Sequence, residues 1–415
     1  MSEQPPTPAP GGRLHKALLV AGIVVLAFNL RPAAVSVGPV IKELSHGLGM
    51  GAAEAGALTA LPVLCFAAVG GITPRLARAL GAHRLTLLAL LLLTAALATR
   101  ALADQAWLFL VLSFLALSGM ATANVLLPSL VKLHFPGQVG RFTAVYSMAL
   151  ATGLTAASVL TVPVAQAGGG MHWRRGLLVW ALTAAVAALP WLGLLRHDRH
   201  ERARHHRFGA ADVARTRLGW AMALFFGLQS LQAYSVFGWF AELYREAGFS
   251  AHTAGLLLGV ITAVSIPFSW VVPNLAARVP DPRWLLSALM ACYPVGYVGL
   301  LLAPAAGAWV WAVLVGLGAC TFPLALTLIG LRARTPAGTA VLSGFTQSVG
   351  YLIAVAGPFG VGVLHDASGG WTVPLLVLLA ICVPQYLCGL AAARPRYLED
   401  ELGHGPGSGG IPVTR

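Results

Sequence analysis

The chain of 415 residues is 57% hydrophobic and only 10% charged, and its formal net charge is +13. A soluble domain carries about a quarter charged residues, so this composition excludes a soluble enzyme core and indicates a protein that lies almost wholly in a lipid bilayer. The five cysteines lie in apolar runs without metal-ligand spacing, and we expect small buried side chains, with no metal and no other cofactor.

Apolar runs long enough to cross a bilayer predict twelve transmembrane helices. Helices are favoured because every backbone polar group in lipid needs a partner, and because the runs are too long for barrel strands. The predicted fold class is therefore an all-α membrane protein. In chain order the expected spans are 16–42, 54–80, 83–103, 106–132, 140–168, 174–195, 217–245, 252–278, 283–303, 307–332, 338–365 and 371–393.

The longest polar connection, residues 196–216, divides the predicted spans into two groups of six. We expect an N-terminal bundle over 14–195, a basic cytoplasmic linker over 196–216 and a C-terminal bundle over 217–393. Residues 1–13 are expected to form a disordered tail and residues 394–415 a cytoplasmic tail. The histidines of the linker lie among arginines without fixed geometry, so we predict no metal site there.

Most Lys and Arg residues fall at one set of span ends if the N-terminus is inside. This bias predicts a multi-pass protein of the cell membrane with both termini in the cytoplasm. It also explains the net charge as topology plus attraction to lipid headgroups, so no nucleic-acid partner is expected. The cations expected at the outer span ends are Lys42, Arg100, Arg174, Arg175 and Arg245.

An internal repeat relates the two halves. Ala34-Val35-Ser36-Val37 recurs as Ala233-Tyr234-Ser235-Val236, and Glu43-Leu44 recurs at the same offset as Glu242-Leu243. Parallel repeats of this kind are typical of transporters whose substrate site lies near the midplane between the halves.

The first predicted span carries Arg31 roughly 22 Å from Lys16, deep in the hydrocarbon core. A guanidinium at this depth costs about 2.5–3.5 kcal/mol, and no Asp or Glu lies near the midpoint of any predicted span. We therefore expect a substrate, either an anion or a small molecule with a polarised oxygen or nitrogen, to supply the opposite charge. Permanent hydrogen bonding to helix carbonyls and an Asn or Gln is the alternative. Pro32 is expected to kink or unwind the helix beside Arg31.

Uncharged polar residues within the predicted spans would complete the site, since they suit a small polar solute. Each of them could instead be an interhelical hydrogen-bonding group, worth about 0.6 kcal/mol. Tyr234, Trp239 and Phe345 could form aromatic walls, with ordinary packing as the commoner role. The predicted substrate-binding set is Arg31, Asn29, Asn124, Tyr146, Gln229, Gln232 and Gln347.

Two acidic repeat mates, Glu43 and Glu242, lie near the outer ends of the first and seventh predicted spans. They could act as gates or as proton-coupling groups, and solvated helix ends are the alternative. Proton coupling could also arise if an anion and a proton enter together.

Several stretches carry a family resemblance: Asn29-Leu30-Arg31-Pro32, Ser36-Val37-Gly38-Pro39, 58–66, 74–78 and 124–132. Over about residues 14–393 the chain resembles the major facilitator superfamily, and more narrowly its cyanate and 2-nitroimidazole transporter branch. The resemblance implies two six-helix bundles repeated in parallel. The loop after the second span departs from the family pattern, because Arg78 stands where the family has an Asp that contacts the other half.

The resemblance and the buried cation together predict a secondary active transporter that moves a small anion or a small polar solute by alternating access. No phosphate-binding loop is present, so ATP-driven transport is not supported, and we expect no enzyme activity. Two alternatives stay open. A drug or metabolite efflux antiporter would carry a Gly-Pro signature in the fifth span, which is missing, and a membrane-embedded sensor would need an attached soluble domain. The expected partners are the lipid bilayer and a small-molecule substrate, with the chain as a monomer.

Overall fold

The computed structural model describes residues 10–167, 169, 172–194 and 209–403. Within these ranges the chain forms helices and no strand, as the predicted fold class requires. Residues 195–208, which hold most of the predicted linker and its histidines, lie outside the described residues. Of the predicted tails, residues 1–9 and 404–415 lie outside them as well. Residues 10–13, expected to be disordered, instead begin the first helix, and residues 394–403 are described.

Helices account for all the predicted spans, which we number 1 to 12. Span 1 is divided into Pro10–Asn29, Pro32–Val35, the 3-10 turn Gly38–Val40 and Ile41–Leu48, and span 2 into Ala52–Gly70 and Thr73–Leu80. Spans 3 to 9 are Ala82–Ala101, Ala106–His134, Val139–Gln166, Trp173–Leu194, Arg217–Glu246, Ala251–Arg278 and Arg283–Leu302. Span 10 comprises Ala308–Ala319 and Thr321–Leu331, span 11 is Pro336–Ser368 and span 12 is Thr372–Ala393. Short helices Ala210–Val213 and Leu398–Glu401 flank the C-terminal half, and a 3-10 turn, Pro136–Gln138, precedes span 5.

By length and apolarity, 10 of the described helices could cross a membrane, or 11 if the pair Leu61–Gly70 and Thr73–Leu80, bent by 53°, is one span. Span 7 falls outside this set, since it carries Gln229, Ser230 and Gln232 in its middle. Large apolar side chains face outward as lipid requires; Leu182 of span 6 is 64% exposed. The chain is therefore a multi-pass membrane protein.

The connections between spans lie at two ends of the molecule. One end, which we call the linker end, holds the connections between spans 2 and 3, 4 and 5, 8 and 9, and 10 and 11. We call the other the opposite end. At the linker end the halves are in close contact: Gly140 of span 5 packs against Ala277 and the Pro273 carbonyl of span 8. Gly344 of span 11 likewise packs against Pro74. The absence of a side chain at these glycines lets the backbones approach.

The segment after span 12 contributes to the same end. The carboxylate of Glu399 is 3% exposed and accepts hydrogen bonds from the backbone N–H groups of Arg334 and Thr335 and from the Thr335 hydroxyl. It therefore caps the N-terminus of span 11. Asp400 beside it forms an ion pair with the Arg334 guanidinium at 2.7 Å.

Two hydrophobic clusters fill the interior. The larger includes buried side chains from both halves, whereas the smaller joins the outer part of span 1, through Val37, Val40 and Leu44, to Phe109 and Trp173 at the opposite end. The outer part of span 1 thus packs separately from the main core. Arg100, one of the cations predicted at the span ends, lies in the last turn of span 3 and is fully buried.

Candidate functional site

The break in span 1 has a local cause in Pro32. Proline has no backbone N–H, so the carbonyl of Phe28, four residues earlier, lacks its helical donor. One helix ends at Asn29 and the next begins at Pro32, with Arg31 as its N-cap residue. A side chain at Gly153 of span 5 would overlap the Phe28 carbonyl. The break therefore lies directly against span 5.

Arg31 lines a cavity of about 470 Å³ between the halves, to which spans 1, 2, 5, 7, 8, 10 and 11 contribute. Ser158 and Phe237 of its lining are exposed, whereas Ser147, Gln229 and Ser269 are buried. The exposed pair lies toward the opposite end. The cavity is therefore open there and closed toward the linker end.

The guanidinium of Arg31 is surrounded by aromatic side chains of the other half. Its central carbon lies 5.5 Å from the ring centroid of Phe322 in span 10. The hydroxyl groups of Tyr234 in span 7 and Tyr351 in span 11 also line the cavity and interact electrostatically with this guanidinium. In the described part of the chain, no carboxylate pairs with Arg31. The cation thus keeps its charge uncompensated while it contacts both halves.

The rest of the lining limits what the cavity can bind. Apart from Arg31, it contains no charged side chain among the described residues. The hydroxyl of Ser147, 5% exposed, has no hydrogen-bond partner in the same ranges. The walls are mostly apolar, with Leu150, Leu258 and Ile261 among them. Such a site can hold one negatively charged or strongly polarised group on an otherwise flat or apolar body.

Of the predicted uncharged site residues, Gln229 lines the cavity. Its side-chain amide donates to the carbonyl of Ala319, where span 10 is interrupted, at 3.4 Å. Its side-chain oxygen accepts a hydrogen bond from Ser230, also at 3.4 Å. Both contacts are long, so the amide can exchange them for a bound solute.

Asn124 and Gln347 lie outside the cavity lining. Asn124 Nδ2 of span 4 donates to Gln347 Oε1 of span 11 at 2.7 Å, and Gln347 Nε2 donates to Ser343 Oγ at 2.8 Å. Ser343 Oγ in turn donates to the carbonyl of Val125 at 2.9 Å. The pair therefore connects the two halves, between the cavity and the linker end.

The remaining predicted residues are directed into the protein interior. Gln232 bonds to Gln385 at 2.6 Å and accepts from the Tyr297 hydroxyl, inside the C-terminal half. Asn29 donates to the carbonyl of Val25 in its own helix. Tyr146 is 1% exposed, and its hydroxyl has no partner among the described residues.

Neither acidic repeat mate lines the cavity. Glu43 is partly exposed in the first turn of Ile41–Leu48. Glu242 is exposed near the end of span 7 and pairs with Arg245 at 3.5 Å. Both lie toward the opposite end of the molecule.

The sequence predicts only part of the aromatic surroundings of Arg31. Of the three candidate aromatic walls, Tyr234 lines the cavity, whereas Trp239 and Phe345 do not. Tyr351 and Phe322 line it as well and are absent from the sequence prediction. Tyr351 follows Gln347 by four residues and so falls on nearly the same helix face, which is a signal that could have found it.

Comparisons with known proteins agree with this architecture. The sequence model of the family Major Facilitator Superfamily matches residues 17–358 of this chain. The chain is 37% identical over 392 residues to the uncharacterized transporter YycB of Bacillus subtilis (strain 168), covering 93% of this chain and 96% of that one. It is 34% identical over 391 residues to the 2-nitroimidazole transporter of Escherichia coli (strain K12), covering 93% and 98%.

More distant likenesses extend the comparison. The cyanate transport protein CynX of Escherichia coli (strain K12) is 29% identical over 352 residues, covering 84% of this chain and 90% of that one. The solved structure of the proton:xylose symporter XylE superimposes with a TM-score of 0.75 at 13% identity, covering 95% and 99%. These findings confirm the family resemblance and the twelve-helix fold, and with them a transporter of small molecules rather than an enzyme. The chain belongs to the Major Facilitator Superfamily.

Proposed function

We propose that this transporter moves a small solute with one anionic or nitro-type group across the cell membrane by secondary active transport. The observation that carries the proposal is Arg31, a cation that lies in the central cavity with no carboxylate partner among the described residues. An occupant that brings the negative charge would remove the cost of leaving this cation unpaired within the membrane.

The geometry around Arg31 favours a particular shape of passenger. The guanidinium fork and the hydroxyls of Tyr234 and Tyr351 are all donors, and they suit two oxygens on one planar group. Phe322 and the aliphatic walls suit an apolar ring attached to that group. A cavity of about 470 Å³ has room for such a ring and is far larger than a triatomic anion. We therefore propose a single-ring nitro compound or carboxylate, with cyanate as the smaller alternative.

Contact with the solute is assigned to Arg31, Tyr234, Tyr351, Gln229 and Ser147, which all line the cavity. Asn124 and Gln347 are proposed to act at the contact between the halves instead. For Asn29, Tyr146 and Gln232 we propose a supporting role within their own halves. The similarity to the 2-nitroimidazole transporter supports a planar nitro compound as the first probe.

The difference between the two ends of the cavity supports a mechanism of alternating access. We propose that the linker end is cytoplasmic, with the predicted two six-helix bundles as the moving bodies, so that the structure corresponds to an outward-open state. Opening toward the cytoplasm would then separate Asn124 from Gln347 and the Ser129 hydroxyl from the Pro336 carbonyl, which it contacts at 2.7 Å. Solute binding in the cavity would bias this exchange.

Binding to purified protein tests the proposal. Melting temperature and calorimetric affinity would be measured with 2-nitroimidazole, benzoate and cyanate, for the wild type, Arg31→Gln and the exposed control Arg245→Gln. We expect a ring-bearing probe to stabilise the wild type and the control but not Arg31→Gln. Unchanged binding by Arg31→Gln would contradict the site. Stabilisation by cyanate alone would contradict the proposed ring.

The mostly apolar lining also suits a metabolite or drug that leaves the cell, so the efflux alternative has a structural basis. The direction of transport distinguishes an importer from an efflux transporter. Uptake of the bound probe into right-side-out vesicles supports import, whereas faster uptake into inverted vesicles supports export.

A further inference from the structure

Arg100 is a second buried cation, separate from the cavity lining. It lies in the last turn of span 3, one residue before the helix ends at Ala101. At such a position a long basic side chain can extend to the lipid headgroups. Instead its exposed fraction is 0%, so the side chain points into the protein. The interior contacts of Arg100 therefore need an explanation.

The partners of Arg100 are neutral. Its Nη1 donates to the carbonyl of Ala33 at 3.1 Å and its Nη2 to the hydroxyl of Ser36 at 3.4 Å. The guanidinium carbon lies 5.8 Å from the ring centroid of Phe109, and Nε has no partner among the described residues. A buried charge without an acidic partner is costly, so these contacts are a weak source of stability.

Both hydrogen-bond acceptors belong to the interrupted part of span 1. The last backbone bond of the helix Pro32–Val35 runs from Ser36 N–H to the carbonyl of Pro32. The carbonyl of Ala33 receives no backbone donor among the described residues. The guanidinium of Arg100 supplies the donor that the backbone does not provide for this carbonyl, two residues beyond Arg31.

We propose that Arg100 is a positioning residue: by holding the carbonyl of Ala33 and the hydroxyl of Ser36, it fixes the segment 32–36 and thereby the place of Arg31 in the cavity. Phe109, which contacts the Arg100 guanidinium, and Ala101, the next residue of span 3, also belong to the smaller hydrophobic cluster with Val37 and Val40. The outer part of span 1 is thus attached to spans 3 and 4 at the point where its helix is interrupted. The effect of Arg100 on solute binding rests on the proposed function, whereas its attachment of the segment 32–36 does not.

Hydrogen–deuterium exchange tests the attachment without any ligand. Arg100→Met would be compared with Arg174→Met, which removes a partly exposed cation that pairs with Asp104 at the opposite end. We expect amide exchange over residues 32–40 to rise about tenfold in Arg100→Met, by loss of hydrogen bonds from a charged donor, with spans 7 to 12 unchanged. Arg100→Lys keeps a charged donor group without the guanidinium fork, and it should restore part of the protection. Unchanged exchange over 32–40, or an equal rise in all spans, would overturn the proposal.

The second readout is affinity for 2-nitroimidazole. We expect Arg100→Met to bind this probe about tenfold more weakly than the wild type, with partial recovery in Arg100→Lys and none of the loss in Arg174→Met. If Arg100→Met does not fold, Ser36→Ala removes one acceptor and should give a smaller loss of the same kind. Wild-type affinity in a variant with raised local exchange would overturn the positioning role. If the wild type does not bind the probe, the proposed function fails, and the exchange measurement still decides the attachment.

Discussion

Asn124 in span 4 donates a hydrogen bond of 2.7 Å to Gln347 in span 11, and both side chains are buried. The bond joins the halves on the side of the cavity where they are in close contact. A buried amide that loses its partner costs more than the bond itself contributes, because the remaining group cannot reach water. The pair is therefore a sensitive point in the closed linker end.

We expect Asn124→Leu to destabilise the protein by about 1–3 kcal/mol, since it leaves Gln347 Oε1 without a donor. The double variant with Gln347→Leu removes both polar groups and should recover part of the loss. Chemical denaturation measures the stability of the single and the double variant. The control variant is Gln138→Leu, which removes an exposed amide at the linker end. Equal stability of the single and double variants would mean that the unpaired amide is not the cause.

Tyr351→Phe should weaken binding of 2-nitroimidazole by about 1–2 kcal/mol, because one hydroxyl that interacts with Arg31 is lost. Tyr234→Phe should behave similarly. Tyr293 offers a matched control: its hydroxyl is buried and unpartnered among the described residues, and it does not line the cavity. Calorimetry of the three variants tests the assignment, and an equal loss in Tyr293→Phe would contradict it.

Gly153→Ala should destabilise the protein by about 1–3 kcal/mol, because the new methyl group would overlap the carbonyl of Phe28. Gly360 in span 11 has no neighbouring atom within 4 Å of an added Cβ. Gly360→Ala should therefore be neutral or slightly stabilising, through its higher helix propensity. Thermal melting compares the two, and similar effects would indicate that span 5 does not restrict the break in span 1.

Glu399→Gln should destabilise the linker end by about 1.5–3 kcal/mol, since the hydrogen bonds that cap span 11 lose their charged acceptor. Asp400→Asn removes a neighbouring charge that is 40% exposed, and an exposed ion pair contributes about 0–1 kcal/mol. Amide exchange around residues 334–340 and thermal melting measure the difference. A larger effect of Asp400→Asn would contradict the capping role.

Much of the fold could be predicted because lipid imposes long apolar helices, and depth alone identified Arg31 as unusual. The rotation of each helix about its axis could not be predicted. Gln229 and Gln232 are three residues apart on neighbouring faces of span 7, and packing directs one to the cavity and the other into the bundle. The burial of Arg100 could not be predicted for a related reason, since a long side chain at a helix end can reach either the surface or the interior.

Among the described residues Arg31 is the one charged side chain that lines the cavity, and this has an electrical consequence. A site with one positive charge becomes neutral when a monovalent anion occupies it, so each net transfer without a companion ion moves one negative charge across the bilayer. A potential of 100 mV acts on that charge with about 2.3 kcal/mol. In a cell with a negative interior, voltage alone would therefore drive such a passenger outward, and accumulation inside would require coupling to the movement of another ion.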